Sequence, residues 1–181
     1  MKKEEKVIIA GFGGQGVMLM GQILSYAANE EALNTVWIPS YGPETRGGTA
    51  NCSVTISKDS IHAPVVTHPH TLVALNEPSL NKFQDKIKPG GLLISNKSLI
   101  KEATFRDDIN VIEIDASQTA IDLGNIKVAN MVILGAYLGA TKIFDESAIH
   151  KVFEKIFTGD KAKLIDLNKQ ALQAGMAAAG K

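Results

Sequence analysis

The sequence predicts a single α/β domain, a three-layer sandwich in which a mostly parallel, Rossmann-like sheet carries helices on both faces. Short apolar runs alternate with segments of helical periodicity along most of the chain, which is typical of this class. The first apolar run also leads through a glycine-rich turn into a helical pattern, which is the order of a βαβ unit. Because the 181 residues contain no repeat, linker or low-complexity block, we expect one domain spanning residues 1–181.

The strands are predicted from short runs rich in β-branched residues. Residues 7–10 (VIIA) form the first strand, and residues 35–38 (TVWI), ended by Pro39, form the second. The helix between them predicts that these two strands pair in parallel through a right-handed crossover. Residues 50–57 alternate in polarity and predict a strand whose direction is left open. Further strands are expected at residues 71–75, 92–95 and 110–114.

The helices are predicted from apolar residues spaced by three and four. Within residues 17–30 this spacing defines one apolar face, which comprises Val17, Met20, Ile23, Leu24 and Ala27. A second helix is expected to start at Pro78 and to reach Ile87, because Pro89-Gly90-Gly91 ends it. The remaining predicted helices cover residues 119–123, 128–138, 146–157 and 161–179, and the alanine-rich last turn is expected to fray.

Composition excludes several classes of function. Lys plus Arg and Asp plus Glu both number 19, so no net charge attracts nucleic acid or an anionic membrane. The sequence has no run of about 18 apolar residues and no signal-peptide core, so we expect a cytoplasmic protein. The single cysteine, Cys52, cannot form an internal disulfide or hold an iron–sulfur cluster within this chain. We interpret it as a buried apolar residue and not as a nucleophile.

The segment GFGGQG, residues 11–16, matches the spacing of a phosphate-binding turn and leaves two interpretations open. The glycines allow a tight strand-to-helix turn and close packing, which alone explains their presence. Alternatively, the turn binds a phosphate or another anion at the helix N-terminus, with the Gln15 amide as an added donor. The candidate anion-binding residues are therefore Gly11, Gly13, Gly14, Gln15 and Gly16.

A nicotinamide dinucleotide is disfavoured as the ligand of this turn. Such sites need an acidic residue at the end of the second strand, where it holds the ribose hydroxyls. Here that strand is followed by Pro39, Ser40 and Tyr41, and the first acid is Glu44.

A second motif, SYGPETRGGTANC at residues 40–52, follows the second strand at the sheet edge where open α/β proteins bind ligands. Arg46 is a bidentate partner for phosphate or carboxylate, and the two glycines after it supply unobstructed backbone donors. The alternative is that a Glu44–Arg46 pair only fixes the loop. The candidate residues of this motif are Ser40, Tyr41, Glu44, Arg46, Gly47 and Gly48.

Three other features are assigned no function. His62, His68 and His70 lack further metal ligands at suitable spacing and are interpreted as polar surface residues. Trp37 is interpreted as a core residue or as the wall of a partner interface. Asp107-Asp108 is interpreted as a solvated turn before a strand.

Four segments of the first half of the chain together resemble the gamma subunit of the 2-oxoacid:ferredoxin (2-oxoacid:acceptor) oxidoreductases. They are GFGGQGVMLMGQIL, WIPSYGPETRGGTANCSV, IHAPVV and LVALNEPSLNKF, in this order and with consistent spacing. The pattern SYGPE-x-RGG followed by NC is the most specific part, with Thr45 at a position often occupied by methionine in the family. The resemblance is closer to the 2-oxoglutarate and branched-chain types than to the pyruvate type.

The resemblance implies a subunit of a larger enzyme. The family converts a 2-oxoacid and coenzyme A into acyl-CoA and carbon dioxide and passes electrons to ferredoxin. Thiamine diphosphate, magnesium and the iron–sulfur clusters are expected on alpha, beta and ferredoxin-like delta partners, and this chain is expected to help close over coenzyme A. Alternatives are an interaction subunit that does not contact coenzyme A and an independent NAD-dependent dehydrogenase. When expressed alone, the chain is expected to be inactive and to form a homodimer or small oligomer.

Overall fold

The fold is a six-stranded sheet with helices on both faces. The computed structural model describes residues 4–41, without the side chain of Tyr41, and residues 49–180. The strands, numbered in chain order, are β1 (Glu4–Phe12), β2 (Asn34–Tyr41), β3 (Thr49–Ser57), β4 (Thr71–Ala74), β5 (Leu92–Asn96) and β6 (Asn110–Ile114). Their order across the sheet is β2-β3-β1-β4-β5-β6. The predicted fold class and mostly parallel sheet are confirmed.

One predicted strand pairing is wrong. β1, β4, β5 and β6 form parallel ladders, but β3 lies between β2 and β1 and runs antiparallel to both. β2 therefore points in the same direction as β1 without touching it. The physical reason is the short connection of residues 42–48, because a link of this length joins antiparallel neighbours, whereas a parallel pair needs a longer crossover.

The helices, in chain order, are α1 (Val17–Glu30), α2 (Glu77–Phe83), α3 (Ala116–Asp122), α4 (Ala129–Thr141), α5 (Glu146–Ile156) and α6 (Ile165–Ala179). The five residues predicted to form the apolar face of α1 are all buried. α2 begins one residue before Pro78, because the Asn76 carboxamide caps it by accepting the N–H of Ser79 at 2.9 Å.

Four helix boundaries differ from the predictions by three residues or more, and one of them is the end of α4 at Thr141 instead of Leu138. α2 ends at Phe83 and continues only as a 3-10 turn over Gln84–Lys86, and α3 begins three residues earlier than predicted. The last helix does not start at Lys161, because Gly159–Leu164 form a 3-10 helix. The Asn168 side chain donates to the Leu164 carbonyl at 2.7 Å, which fixes the junction between this 3-10 helix and α6.

The sheet separates two apolar cores. The larger core lies between one face of the sheet and α1, α3, α4, α5 and α6. The smaller core lies on the other face, beneath α2 and residues 97–109. Arg106 holds this second segment in place, because its guanidinium donates to the carbonyls of Gln84 and Ile87 and pairs with Asp108. Asp108 is therefore part of an ion pair and not only a solvated turn residue, and Arg106 lowers its pKa.

Helices α4 and α6 cross at van der Waals contact of their backbones. A Cβ atom added to Gly175 would lie 1.8 Å from the Val132 carbonyl oxygen, and one added to Gly135 would lie 2.0 Å from that of Leu172. Only glycine permits this separation. The close crossing fixes the position of α4, whose first turn faces the glycine-rich turn described below.

Within residues 4–41 and 49–180, no helix has the length and apolar character needed to cross a membrane.

Candidate functional site

The two sequence motifs meet at the carboxyl edge of the sheet. Gly11 of β1 is paired with Ala50 of β3, which in turn is paired with Tyr41 of β2. Thr49, the next described residue, is level with Phe12 at the end of β1. The chain therefore leaves β2 and enters β3 beside the glycine-rich turn.

The structure describes only part of the second motif. Ser40 is exposed near the end of β2, and Tyr41 is the last residue of that strand. Glu44, Arg46, Gly47 and Gly48 lie outside the described residues, so their assignment as ligand-binding residues stays a prediction.

The glycine-rich turn needs its glycines for two different reasons. Gly11 is still part of β1, where a Cβ atom would lie 2.7 Å from the Gln15 side-chain oxygen and 3.1 Å from the Leu75 Cβ. Gly14 and Gly16 have φ angles of +94° and +79°, which residues with side chains rarely adopt. Gly13 is exposed on the turn. Close packing and turn geometry thus account for three of the glycines without a ligand.

Gln15 organises the turn through its side-chain oxygen. Oε1 accepts the Phe12 backbone N–H at 2.6 Å and the Asn76 Nδ2–H at 3.0 Å. Because a backbone N–H can only donate, the oxygen must face Phe12, which leaves the Gln15 Nε2 group as a donor toward the adjoining cavity.

The start of α1 has the electrostatics of an anion site. Gly16 is the N-cap and provides no side-chain hydrogen bond to the first turn, and no acidic residue lies in that turn. Free N–H groups and the helix macrodipole therefore give this end a partial positive charge.

A cavity of about 230 Å³ adjoins the turn. The residues on one side of it were predicted as site residues only in part, and those on the opposite side were not predicted at all. Gly14, Gln15 and Leu75 form one side. The opposite side comes from β5, the start of α3 and the start of α4, and includes Asn96, Ser117, Lys127 and Asn130. Of these residues, Asn130 could have been identified from the sequence as unusual, because it is a polar residue within an apolar helical run.

A larger cavity, of about 460 Å³, lies at the opposite edge of the sheet. It is bounded by the first residues of the parallel strands and by the ends of α4 and α6. Its polar wall contains the buried Glu5 carboxylate, which accepts the Thr71 hydroxyl at 2.7 Å. Because both sequence motifs lie at the carboxyl edge, we take the smaller cavity as the candidate site.

Cys52 is buried on β3, as predicted. None of its surface is exposed, its thiol contacts the Val17 carbonyl oxygen at 3.5 Å, and burial raises its pKa to about 11. Trp37 is half-buried and packs on the larger core, where a Cβ atom added to Gly21 would lie 2.7 Å from its Nε1.

The histidines do not behave alike. His62 and His68 are exposed, as predicted. His70 is half-buried and accepts the Lys6 backbone N–H at 3.0 Å, with the Lys88 ammonium 2.9 Å from its other ring nitrogen, so its interpretation as a surface residue is wrong. No group of three or more potential metal-ligating residues occurs within the described ranges.

Comparison with known proteins gives the family. The chain matches the pyruvate ferredoxin/flavodoxin oxidoreductase family over residues 6–178. It is 41% identical over 95% of its length to the ketoisovalerate oxidoreductase subunit VorA of Methanothermobacter thermautotrophicus, but it spans only 36% of that protein. It is 38% identical to the 2-oxoglutarate synthase subunit KorC of the same organism, and this match covers 94% of the chain and 93% of KorC.

Two solved structures have the same fold. The gamma subunit of a keto/oxoacid ferredoxin oxidoreductase from Geobacter sulfurreducens matches with a TM-score of 0.83 and 28% identity, over 97% of this chain and 98% of that one. The 2-oxoglutarate:ferredoxin oxidoreductase of Magnetococcus marinus, solved with 2-oxoglutarate, coenzyme A and succinyl-CoA bound, matches with a TM-score of 0.90 and 25% identity, over 99% of this chain and 31% of that one. The chain therefore belongs to the pyruvate ferredoxin/flavodoxin oxidoreductase family and is of the gamma-subunit type that its sequence resembles.

Proposed function

We propose that this chain is the gamma subunit of a thiamine-diphosphate-dependent 2-oxoacid:ferredoxin oxidoreductase. The complex would convert a 2-oxoacid, coenzyme A and oxidised ferredoxin into acyl-CoA, carbon dioxide and reduced ferredoxin. The observation that carries this proposal is the 38% identity to KorC, because it covers nearly the whole of both chains. Relatives named for 2-oxoglutarate and ketoisovalerate support one of these two oxoacids as the substrate.

The redox and decarboxylation chemistry is assigned to partner subunits. Thiamine diphosphate with magnesium and the iron–sulfur clusters are proposed to reside on the alpha, beta and delta chains. VorA and the Magnetococcus enzyme support physical association with such partners, because in both a segment similar to this chain is part of a longer polypeptide.

Coenzyme A is the ligand that we propose this chain contacts. The binding residues would be Gly11, Gly13, Gly14, Gln15 and Gly16 together with Ser40, Tyr41, Glu44, Arg46, Gly47 and Gly48. The described part of this set fits a phosphorylated ligand, because the turn presents the uncapped start of α1 and the outward Gln15 amide. Arg46 would supply the bidentate charge-assisted contact to a phosphate.

Purification of the tagged chain from its native cell tests the subunit assignment. The expected result is co-purification of thiamine-binding and iron–sulfur subunits, with ferredoxin reduction that depends on coenzyme A and is fastest with 2-oxoglutarate or ketoisovalerate. The isolated chain should carry no iron and should be inactive. Recovery of the chain without such partners at physiological concentration would contradict the assignment.

Replacement of Arg46 tests the coenzyme A contact. Arg46→Ala should raise the coenzyme A requirement of the reconstituted complex by about tenfold to a hundredfold, because a charge-assisted contact to phosphate contributes roughly 1.5–3 kcal/mol. Decarboxylation of the oxoacid in the absence of coenzyme A should change little. Arg46→Lys should restore the affinity only in part, since it keeps the charge and loses the planar fork.

The melting temperature of the isolated Arg46→Ala chain is the control. If Arg46 only paired with Glu44 to fix the loop, the variant would lose thermal stability without any ligand. A complex that assembles normally and shows unchanged apparent affinity for coenzyme A would contradict the proposed contact and favour an interaction subunit.

A further inference from the structure

Two helix starts meet at the 230 Å³ cavity of the carboxyl edge. α1 begins after Gly16, and α4 begins at Ala129 on the facing wall. The two are in contact, because a Cβ atom added to Gly16 would lie 2.2 Å from Asn130 Nδ2. α4 continues a 3-10 helix over Ile126–Val128, whose first turn is capped by the Asn125 side chain, so of the two only the start of α1 lacks a side-chain cap.

Asn130 is a buried amide without a protein partner at this point. Its exposed fraction is 8%, it lines the cavity, and its side chain forms no hydrogen bond with any residue of the described ranges. The neighbouring residues of α4, from Met131 to Leu138, are all buried. Its amide atoms are not among the fully buried, unpartnered polar atoms of the described residues, so they stay accessible at the cavity and can donate to or accept from a ligand there.

The charge around the cavity favours an anion. Lys127 lies at its mouth and is exposed, and no acidic residue is found among the described residues that line it. The residues with donor groups in this wall include Gln15, Lys127 and Asn130, and the start of α1 follows directly after the lining residues Gly14 and Gln15. They approach from different elements, which suits the three oxygens of a phosphoryl group better than the two coplanar oxygens of a carboxylate.

A second polar side chain, Asn96, lies deeper in the same wall. Asn96 is 3% exposed in the same wall, and its Oδ1 accepts no hydrogen bond within the described part of the chain. Its Nδ2 lies 3.4 Å from the Ser117 hydroxyl.

We propose that this cavity is a phosphoryl-group site in which Asn130 and Lys127 contact the ligand directly. Neither residue belongs to the two motifs that the sequence singles out. The binding of a phosphoryl group by the chain is independent of the proposed enzyme complex, and only its identification with a phosphate of coenzyme A rests on the proposed function.

Titration of the full-length isolated chain with inorganic pyrophosphate tests the site. Saturable binding is expected by calorimetry, with NMR shifts at the Asn130 side-chain amide and at the backbone amides of Gly14 and Gly16. Lys127→Met and Asn130→Ala should each weaken the binding about tenfold. Lys161→Met, which removes an exposed lysine of the Gly159–Leu164 segment, is the matched control and should bind like the wild-type chain.

The outcomes separate this site from the proposed function. Absence of saturable binding to the wild-type chain, unchanged affinity in both variants, or equally tight binding of acetate at the same ionic strength would each overturn it. Because Lys127 is exposed, Lys127→Met tests the site even if Asn130→Ala folds poorly. A chain that lacks pyrophosphate binding but co-purifies with an active oxidoreductase would contradict only this site. The reverse result would contradict only the enzyme assignment.

Discussion

Cys52 is buried where β3 passes beneath α1, and its thiol is held in the neutral form. Because burial raises its pKa to about 11 from an ordinary value of 9.0, the folded chain binds this proton more tightly than the unfolded chain. The resulting stability is fully present below pH 9 and is lost as the pH rises toward 11.

This titration predicts alkaline destabilisation of the fold. Between pH 9 and pH 11 the free energy of unfolding should fall by roughly 2–3 kcal/mol, since each pKa unit corresponds to about 1.4 kcal/mol. Urea unfolding as a function of pH measures the effect, and Cys52→Ala should remove this component of the slope. In parallel, a thiol reagent should react with the wild-type chain only as it unfolds. Rapid modification of the native chain at pH 8 would contradict the prediction.

Residue-level features that depend only on neighbours in the sequence could be predicted from the spacing of residue types. The tight turn between β1 and α1 and the burial of Cys52 were predicted, whereas it was not predicted that Gly14 and Gly16 are the glycines of this turn with left-handed conformations. Asn130 could not be recognised in the same way. It lies more than a hundred residues from Gly16 along the chain, and its contact with that glycine exists only because α4 packs across the sheet.

The crossing of α4 and α6 brings the two helix backbones into direct contact. The backbone carbonyl of Val132 occupies the place where a side chain on Gly175 would be, so the helices must separate to admit even a methyl group. Their separation would also displace the start of α4 from the candidate site.

Gly175→Ala should therefore destabilise the chain despite the higher helix propensity of alanine. We expect a loss of about 2–3 kcal/mol and a decrease in melting temperature of about 5–10 °C for a domain of this size. Gly180→Ala is the matched control, because its Cβ atom would meet no atom closer than 3.7 Å and should leave the melting temperature unchanged. Equal melting temperatures for the two variants would show that the crossing relaxes without cost.

Elements were predicted well where one local pattern determines them. β5, β6 and α1 fall where the sequence places them, within the usual shifts at their ends, and β1 extends beyond the predicted residues 7–10 to Glu4–Phe12. The direction of β3 was left open, and its position between β2 and β1 was missed, because alternation along a strand does not identify its neighbours. Pairing depends on the length of the connection and on competition among all six strands.

The whole molecule shares one dominant core. The larger apolar cluster combines residues of β1, β3, β4, β5 and β6 with all the helices of one face, and Trp37 of the edge strand β2 packs against it. No element of this face has a separate core within the described residues. We therefore expect the isolated chain to unfold as one cooperative unit.

The single tryptophan makes this expectation measurable. Trp37 fluorescence reports on the edge of the sheet, whereas far-ultraviolet circular dichroism reports on all elements. In urea the two signals should give the same midpoint and the same slope. An earlier fluorescence transition would show that β2 detaches before the rest of the chain unfolds.

Because β3 is inserted antiparallel between β2 and β1, the central segment of the second motif, residues 42–48, is a connection between two neighbouring strands. β2 and β3 are held together by eight paired positions, and β3 is held to β1 by nine, so both ends of residues 42–48 are fixed by the sheet whatever the segment contains. We therefore predict that replacing residues 42–48 with the corresponding segment of a relative named for another oxoacid leaves the strand register unchanged. Such chimaeras would separate the contribution of this short segment to ligand preference from that of the scaffold, within a single host chain.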